Sequence, residues 1–428
     1  MKSRRIFISA VVPALITMLI IGGCAPKTEA PPSVPLQVVK IAAIADLTGP
    51  YSSYAAPSAE GFKAYFDRLS EKGVGIEGAE VEVLLYDMGG LAPKGMEAMH
   101  QAAEEGAVTV FSSMASVVQP TVNLAETYKL THVCVSPGVT GLWSDWVYPF
   151  SNPSLSDIFA AMLDSTLIVW EKLGKAGKPV IGVLIYDNLA GHVATMGITK
   201  PCDGQSVPYM EQEEIDYIAE WFPMNATDLS PQIARLKRAG VDMILMVGTS
   251  SHVVAALRAM RLQDLDASQL VLCAIVDMAD LVALAGADLF ENVYIQSMGY
   301  SPFHEPCIED PPGAIVSKEL WEEKYPGEYL KDSFTWGIMG GTIVEEALSL
   351  ALKEVSADQL TGEAFRDHGL NQITNFTAQG LIQSSGITWR SGVGNHPGPC
   401  SFSLYQVRGG YTYRVVDNVE CAGIRCKL

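Results

Sequence analysis

From residue 38 onward, short runs rich in β-branched residues alternate with amphipathic stretches of helical period. This rhythm constrains the chain more than any other feature. Such alternation specifies α/β units, in which helices close both faces of a largely parallel sheet. Residues 38–46 form a strand-like run that ends in a turn at Thr48-Gly49-Pro50. Phe62, Tyr65, Phe66 and Leu69 then recur at spacings of three and four, on one face of a helix. A strand over 81–87, a helix over about 93–105, a strand over 108–112, a helix near 120–129 and a strand over 132–136 are expected next. That series makes one doubly wound lobe.

The pattern breaks at Tyr148-Pro149-Phe150-Ser151-Asn152-Pro153, where two prolines interrupt it, and a second series begins. A helix near 157–173 leads to a strand over 179–186. Ser230 is placed to cap a helix whose first turn holds Pro231. Ile233, Leu236 and Ala239 mark that helix's buried face, and Gly240 its stop. A strand over 242–247, a helix over 253–262 and a strand over 270–275 complete the second lobe. Two such lobes leave a cleft at the carboxyl ends of their strands, where α/β proteins hold ligands. With 428 residues, 48% of them hydrophobic, the chain can fill two sizeable cores.

The N-terminus carries a different signal. Lys2, Arg4 and Arg5 precede an apolar run over 6–21, followed by Gly22-Gly23-Cys24-Ala25. Basic residues, a short apolar core and small residues describe a secretory signal over 1–23. The run is short for a membrane span and is interrupted by Pro13. Ile21-Gly22-Gly23-Cys24 resembles the bacterial lipobox, which implies lipidation at Cys24 and anchoring on the outer side of the cell membrane. The Pro-, Ala- and Thr-rich stretch to residue 37 reads as a tether. Cys134 and Cys273 sit in apolar runs and read as buried small hydrophobes. Cys421 and Cys426 are the disulfide candidates, suited to an oxidising compartment.

Several short segments carry a resemblance. These are Ile44-Ala45-Asp46-Leu47-Thr48-Gly49-Pro50 with Tyr54, Ser136-Pro137-Gly138-Val139-Thr140, and Asp228-Leu229-Ser230 with Leu236 to Asp242. Leu284-Ala285-Gly286, and Tyr405-Gln406-Val407 with Gly409-Gly410, complete the set. In this order the chain resembles the branched-chain amino-acid-type substrate-binding proteins of ABC transporters, from about residue 38 to 416. The resemblance implies the type I periplasmic-binding fold, α/β, with two Rossmann-like lobes joined by three hinge segments. The crossings are expected near 151–153, 296–299 and 374–380. Lobe 1 would hold 38–152 and 297–375, and lobe 2 would hold 153–296 and 376–428. A monomer without cofactor or metal is implied, which passes a small-molecule ligand to ABC permease subunits.

In such proteins the ligand's carboxylate is held in the first lobe by hydroxyls and backbone N–H groups. Here Ser113-Met114-Ala115-Ser116 lies between a strand end and a helix start, where free N–H groups and the helix dipole favour an anion. Met114, Ala115 and Ser116 are therefore candidates, with Gly138, Val139 and Thr140 after the next strand. By the same resemblance Tyr54 covers the ligand and Phe334 lines the wall. The second lobe departs from the amino-acid-binding pattern. Ala190 and Thr249 occupy loops that commonly hold aromatics, and Ala274 stands where an acidic residue would meet an ammonium. Either Asp277, three residues on, takes that role, or the ligand is not an α-amino acid.

Competing functions leave weaker traces. The first βα turn is no GxGxxG, and neither a Walker A motif nor a GxSxG elbow occurs, so enzyme readings lack a motif. A formal charge of −19 disfavours nucleic acid and anionic membrane surfaces as partners. A lipoprotein that senses a ligand and reports to a membrane receptor would use the same cleft as one that feeds a transporter.

Overall fold

A computed structural model describes residues 37–420, apart from 74, 142, 152–154, 189–190, 193, 196–213, 274–275, 298, 384–385 and 393–400. Cys24, Ala190, Ala274, Cys421 and Cys426 lie outside the described residues, as do parts of two expected crossings.

The first sheet has strand order β2-β1-β3-β4-β5, and every neighbouring pair is parallel. Its strands are β1 (Gln37–Ala45), β2 (Ala79–Asp87), β3 (Thr109–Ser112), β4 (Thr131–Cys134) and β5 (Val147–Pro149). Side chains alternate across a strand, and β1 shows the consequence. Val39, Ile41 and Ala43 enter one core with Phe62, Phe66 and Ile338, while Ala42 and Ile44 enter another with Met99 and Val117. The helices Ser52–Glu71, Pro312–Lys324 and Asp332–Glu354 therefore cover one face, and Ala92–Glu104 and Ala115–Tyr128 the other.

The second sheet has order β12-β11-β10-β9-β8-β6-β7. Its strands are β6 (Ile181–Tyr186), β7 (Tyr217–Phe222), β8 (Met243–Val247), β9 (Leu270–Leu272), β10 (Tyr294–Ser297), β11 (Ser401–Arg408) and β12 (Tyr411–Glu420). β6 to β10 pair in parallel, and a hairpin of β11 and β12 adds an antiparallel edge. Gly409 and Gly410 make its two-residue turn at φ +56° and +82°, backbone that glycine adopts without Cβ strain.

These observations give the two-lobe α/β architecture the sequence implies. The chain leaves the first core after Phe150 and enters the second at Leu155, then rejoins the first from Tyr300. The third passage differs from its expected place near 374–380. Ala378, Leu381, Ile387 and Trp389 are buried in the first core, and the chain next joins the second sheet at Ser401. Ala378, Leu381, Ile382, Ile387 and Trp389 thus add an apolar layer to the first lobe, which the mixed composition of their segment did not advertise.

Candidate functional site

The turn after β1 is built by two carboxylates. Asp46 accepts the N–H groups of Gly49 (2.8 Å) and Tyr51 (2.9 Å). Asp87, ending β2, accepts the Leu47 N–H (2.9 Å), the Thr48 hydroxyl (2.6 Å) and the Gly89 N–H (2.8 Å). So clamped, the turn starts the helix Ser52–Glu71 beside the sheet's carboxyl edge and fixes Tyr51 and Tyr54 there. Tyr54 donates its hydroxyl to the Ser113 carbonyl (3.0 Å) and meets Trp336 edge-on, with centroids 5.1 Å apart. Burial pushes its phenol far up, so it stays a neutral donor.

A cavity opens at this edge, between the carboxyl ends of strands from both sheets. The first lobe contributes Tyr51, Tyr54, Ser113 to Ser116 and Ser136. The second contributes Leu155, Tyr186 at the end of β6, Gly248 to Ser250 after β8, and Asp277 and Asp280 after β9. Tyr51 also reaches across, its hydroxyl 3.9 Å from the Met224 sulfur.

The first-lobe wall is a cradle of donors. The helix Ala115–Tyr128 begins here with an extended Met114 and no side-chain cap, so its first N–H groups have no capping acceptor. Ser113 and Ser136 are buried, and their hydroxyls have no hydrogen-bond partner among the described residues. Buried hydroxyls are ordinarily paired. Two unpaired ones at a helix N-terminus fit an oxygen-rich anion. The helix starts five residues before its expected start near 120. Pro120 lies inside it and leaves the Ser116 carbonyl without its intrahelical donor.

On the second-lobe wall, Thr249 precedes the helix Ser250–Leu262. Its hydroxyl lies 2.9 Å from His252 Nδ1, whose Nε2 lies 3.0 Å from the Met224 carbonyl. Burial lowers the His252 pKa, so the ring holds the loop as a neutral group.

Asp277 is more deeply engaged. It is 3% exposed, caps its own helix through the Ala279 N–H (3.2 Å), and accepts the Ser333 N–H (3.2 Å) and hydroxyl (2.8 Å). Asp332 returns the contact by accepting the Met278 N–H (3.3 Å). Two helix N-termini, one from each lobe, thus cap each other. Lys331 joins Asp280 alongside at 2.7 Å and donates to the Ser53 carbonyl. Pro57 frees that carbonyl, because it lacks the N–H that would bond it within the helix.

This pair of acids predicts a pH dependence. Burial, then the charge of Asp280, raises the Asp277 pKa to about 6, and burial and Asp277 together raise Asp332 well above the ordinary range. A carboxyl raised on folding stabilises fully below its ordinary pKa near 3.8, and that contribution is lost as pH rises through about 6. Stability is expected to fall from about pH 4 to above 6, by on the order of 3 kcal/mol for Asp277. Asp332→Asn keeps an acceptor for Met278 and should flatten the fall. Urea midpoints of both proteins across this window check the prediction, and a wild-type midpoint that rises with pH would contradict it.

Among the residues expected at the site, Tyr54, Met114, Ala115, Ser116, Thr249 and Asp277 line the cavity. Gly138, Thr140 and Phe334 are absent from its wall among the described residues, and the Val139 side chain lies outside them. Gly138, at φ +64°, turns the chain into the short helix Gly138–Gly141, which leaves Thr140 exposed. Phe334 is fully buried in the first core, edge-on to Trp321. Tyr51, Ser136, Leu155, Tyr186 and Asp280 were not anticipated. Tyr186 and Ser136 had a visible signal, since each ends or follows a strand at the sheet's carboxyl edge.

The sequence profile described as "Periplasmic binding protein" matches residues 38–411. Among curated proteins no sequence match is found. Solved structures are similar in fold. A branched chain amino acid ABC transporter from Thermus thermophilus with bound valine aligns at TM-score 0.76 and 17% identity, over 92% of this chain and 99% of that one. A fatty acid ABC transporter substrate-binding protein from Thermomonospora curvata aligns at 0.72 and 18%, over 92% and 95%. A substrate-binding periplasmic protein from Ralstonia solanacearum aligns at 0.72 and 18%, over 88% and 100%.

Proposed function

The chain belongs to the periplasmic binding protein family, and from that premise we propose that it captures a small carboxylate-bearing solute by closing two lobes over it. One observation carries the reading: Ser113 and Ser136, whose buried hydroxyls have no partner among the described residues, line the cavity beside the uncapped start of the helix Ala115–Tyr128. A carboxylate there gains hydroxyl and N–H donors in a partly desolvated site, where charge-assisted hydrogen bonds are strong. Valine and a fatty acid, the solutes named for two structures of this fold, both carry a carboxylate. Tyr54, Met114, Ala115, Ser116, Thr249 and Asp277 are proposed to form the wall around it. Delivery to an ABC permease, as a lipoprotein held outside the membrane by Cys24, completes the proposal.

Lobe closure is a population shift driven by a ligand that touches both walls. A solute at about 100 times its Kd should add roughly 2.7 kcal/mol of stability. The test is a thermal-shift screen in which each carboxylate is paired with its methyl ester. The expected result is a shift for the acid and none for the ester. Esters that bind as well as their acids would remove the carboxylate from the proposal.

A further inference from the structure

We propose that the captured carboxylate has an apolar body and carries no ammonium group; this rests on the carboxylate-capture reading above and deepens it.

An α-ammonium needs acceptors, above all an anionic one, and both carboxylates on the wall among the described residues are already engaged. Asp277 and Asp280 are the anionic residues of the wall among the described residues. Asp277 uses three of its roughly four acceptor positions on Ala279 and Ser333. It is also almost wholly enclosed. Asp280 is neutralised by Lys331 at 2.7 Å, and both side chains are about four-fifths buried, 19% and 21% exposed. The Ser113 carbonyl, beside the proposed carboxylate position, receives the Tyr54 hydroxyl. A bound ammonium would lose its hydration without gaining a free counter-charge, which is strongly unfavourable in a closed cleft.

The remaining surface suits hydrocarbon. Tyr54, Met114, Leu155 and Tyr186 present rings and apolar chains, and Thr249 is already bonded to His252. These side chains offer an apolar wall to an aryl or branched alkyl body. A solute with a charged head and an apolar tail satisfies both walls. An amino acid satisfies only the first.

Calorimetric titration of the full chain with matched pairs tests this: 4-methylpentanoate against leucine, and 3-phenylpropanoate against phenylalanine. The acid lacking nitrogen is expected to bind at least about ten-fold tighter in each pair. Lys331→Gln, which leaves Asp280 unpaired, is expected to move the ratio at least about five-fold toward the amino acid. Amino acids that bind as tightly as their partners would overturn the inference while leaving carboxylate capture intact. An unchanged ratio in Lys331→Gln would overturn the part given to the Lys331–Asp280 pair. If neither member of any pair binds and neutral amides or polyols do, both this inference and the capture reading fail.

Discussion

Replacing Gly337 with alanine is expected to cost about 3–5 kcal/mol, enough to leave the protein largely unfolded at ordinary temperature if its stability is typical. A Cβ at Gly337 would stand 2.0 Å from the Ser58 carbonyl oxygen and 2.5 Å from the Phe62 nitrogen. Both are backbone atoms, so no side-chain rotation relieves the overlap, and the helices Ser52–Glu71 and Asp332–Glu354 must separate. Gly61 faces the same seam, where an added Cβ would lie 2.2 Å from the Phe334 carbonyl oxygen. Overpacking commonly costs about 1–3 kcal/mol, and a rigid double clash belongs above that range. Gly95→Ala is the control, because its Cβ would meet only the Met88 side chain, at 3.8 Å. In the helix Ala92–Glu104 that change should be neutral or stabilising by up to about 1 kcal/mol. Denaturant midpoints of the two variants decide it. Near-wild-type stability for Gly337→Ala would mean that the helices do not lie this close.

The second large effect concerns the cradle, and it has opposite signs for stability and binding. Ser113→Ala combined with Ser136→Ala removes two buried hydroxyls that have no partner among the described residues. The unliganded protein should lose nothing and gain up to about 1 kcal/mol, since an unsatisfied buried polar group is a cost. Affinity for the carboxylate should fall about 100- to 10,000-fold, because two hydrogen bonds to a charged group together contribute about 3–6 kcal/mol. Thermal unfolding without ligand and calorimetry with it, on the same preparation, measure both. Structural serines would behave oppositely, losing stability and leaving affinity alone.

What the sequence disclosed and what it hid divide along the range of the interactions. The β1 run and the helical spacing of Phe62, Tyr65 and Phe66 are local patterns, and they lead directly to the layered first lobe. The Ser113-Met114-Ala115-Ser116 segment is local too, because a strand end followed by a helix start defines a donor-rich turn wherever it occurs. Thr140 and Phe334 illustrate the limit. Each has a residue type suited to a pocket, yet a left-handed glycine at 138 rotates one away, and packing on Trp321 draws the other into the core. Asp277 is the sharper case. In sequence it reads as a free acid, whereas its partner Ser333 lies 56 positions away and comes from the other lobe. No local pattern encodes that contact, and it changes the chemistry the residue can offer.

The crystal structure of the full chain with a bound monocarboxylate tests the central claim most directly. The ligand's carboxylate oxygens should lie about 3 Å from the hydroxyls of Ser113 and Ser136, at the start of the helix Ala115–Tyr128, with its apolar body toward Leu155 and Tyr186. A carboxylate bound instead against the second sheet, with both serine hydroxyls left unpaired, would contradict it.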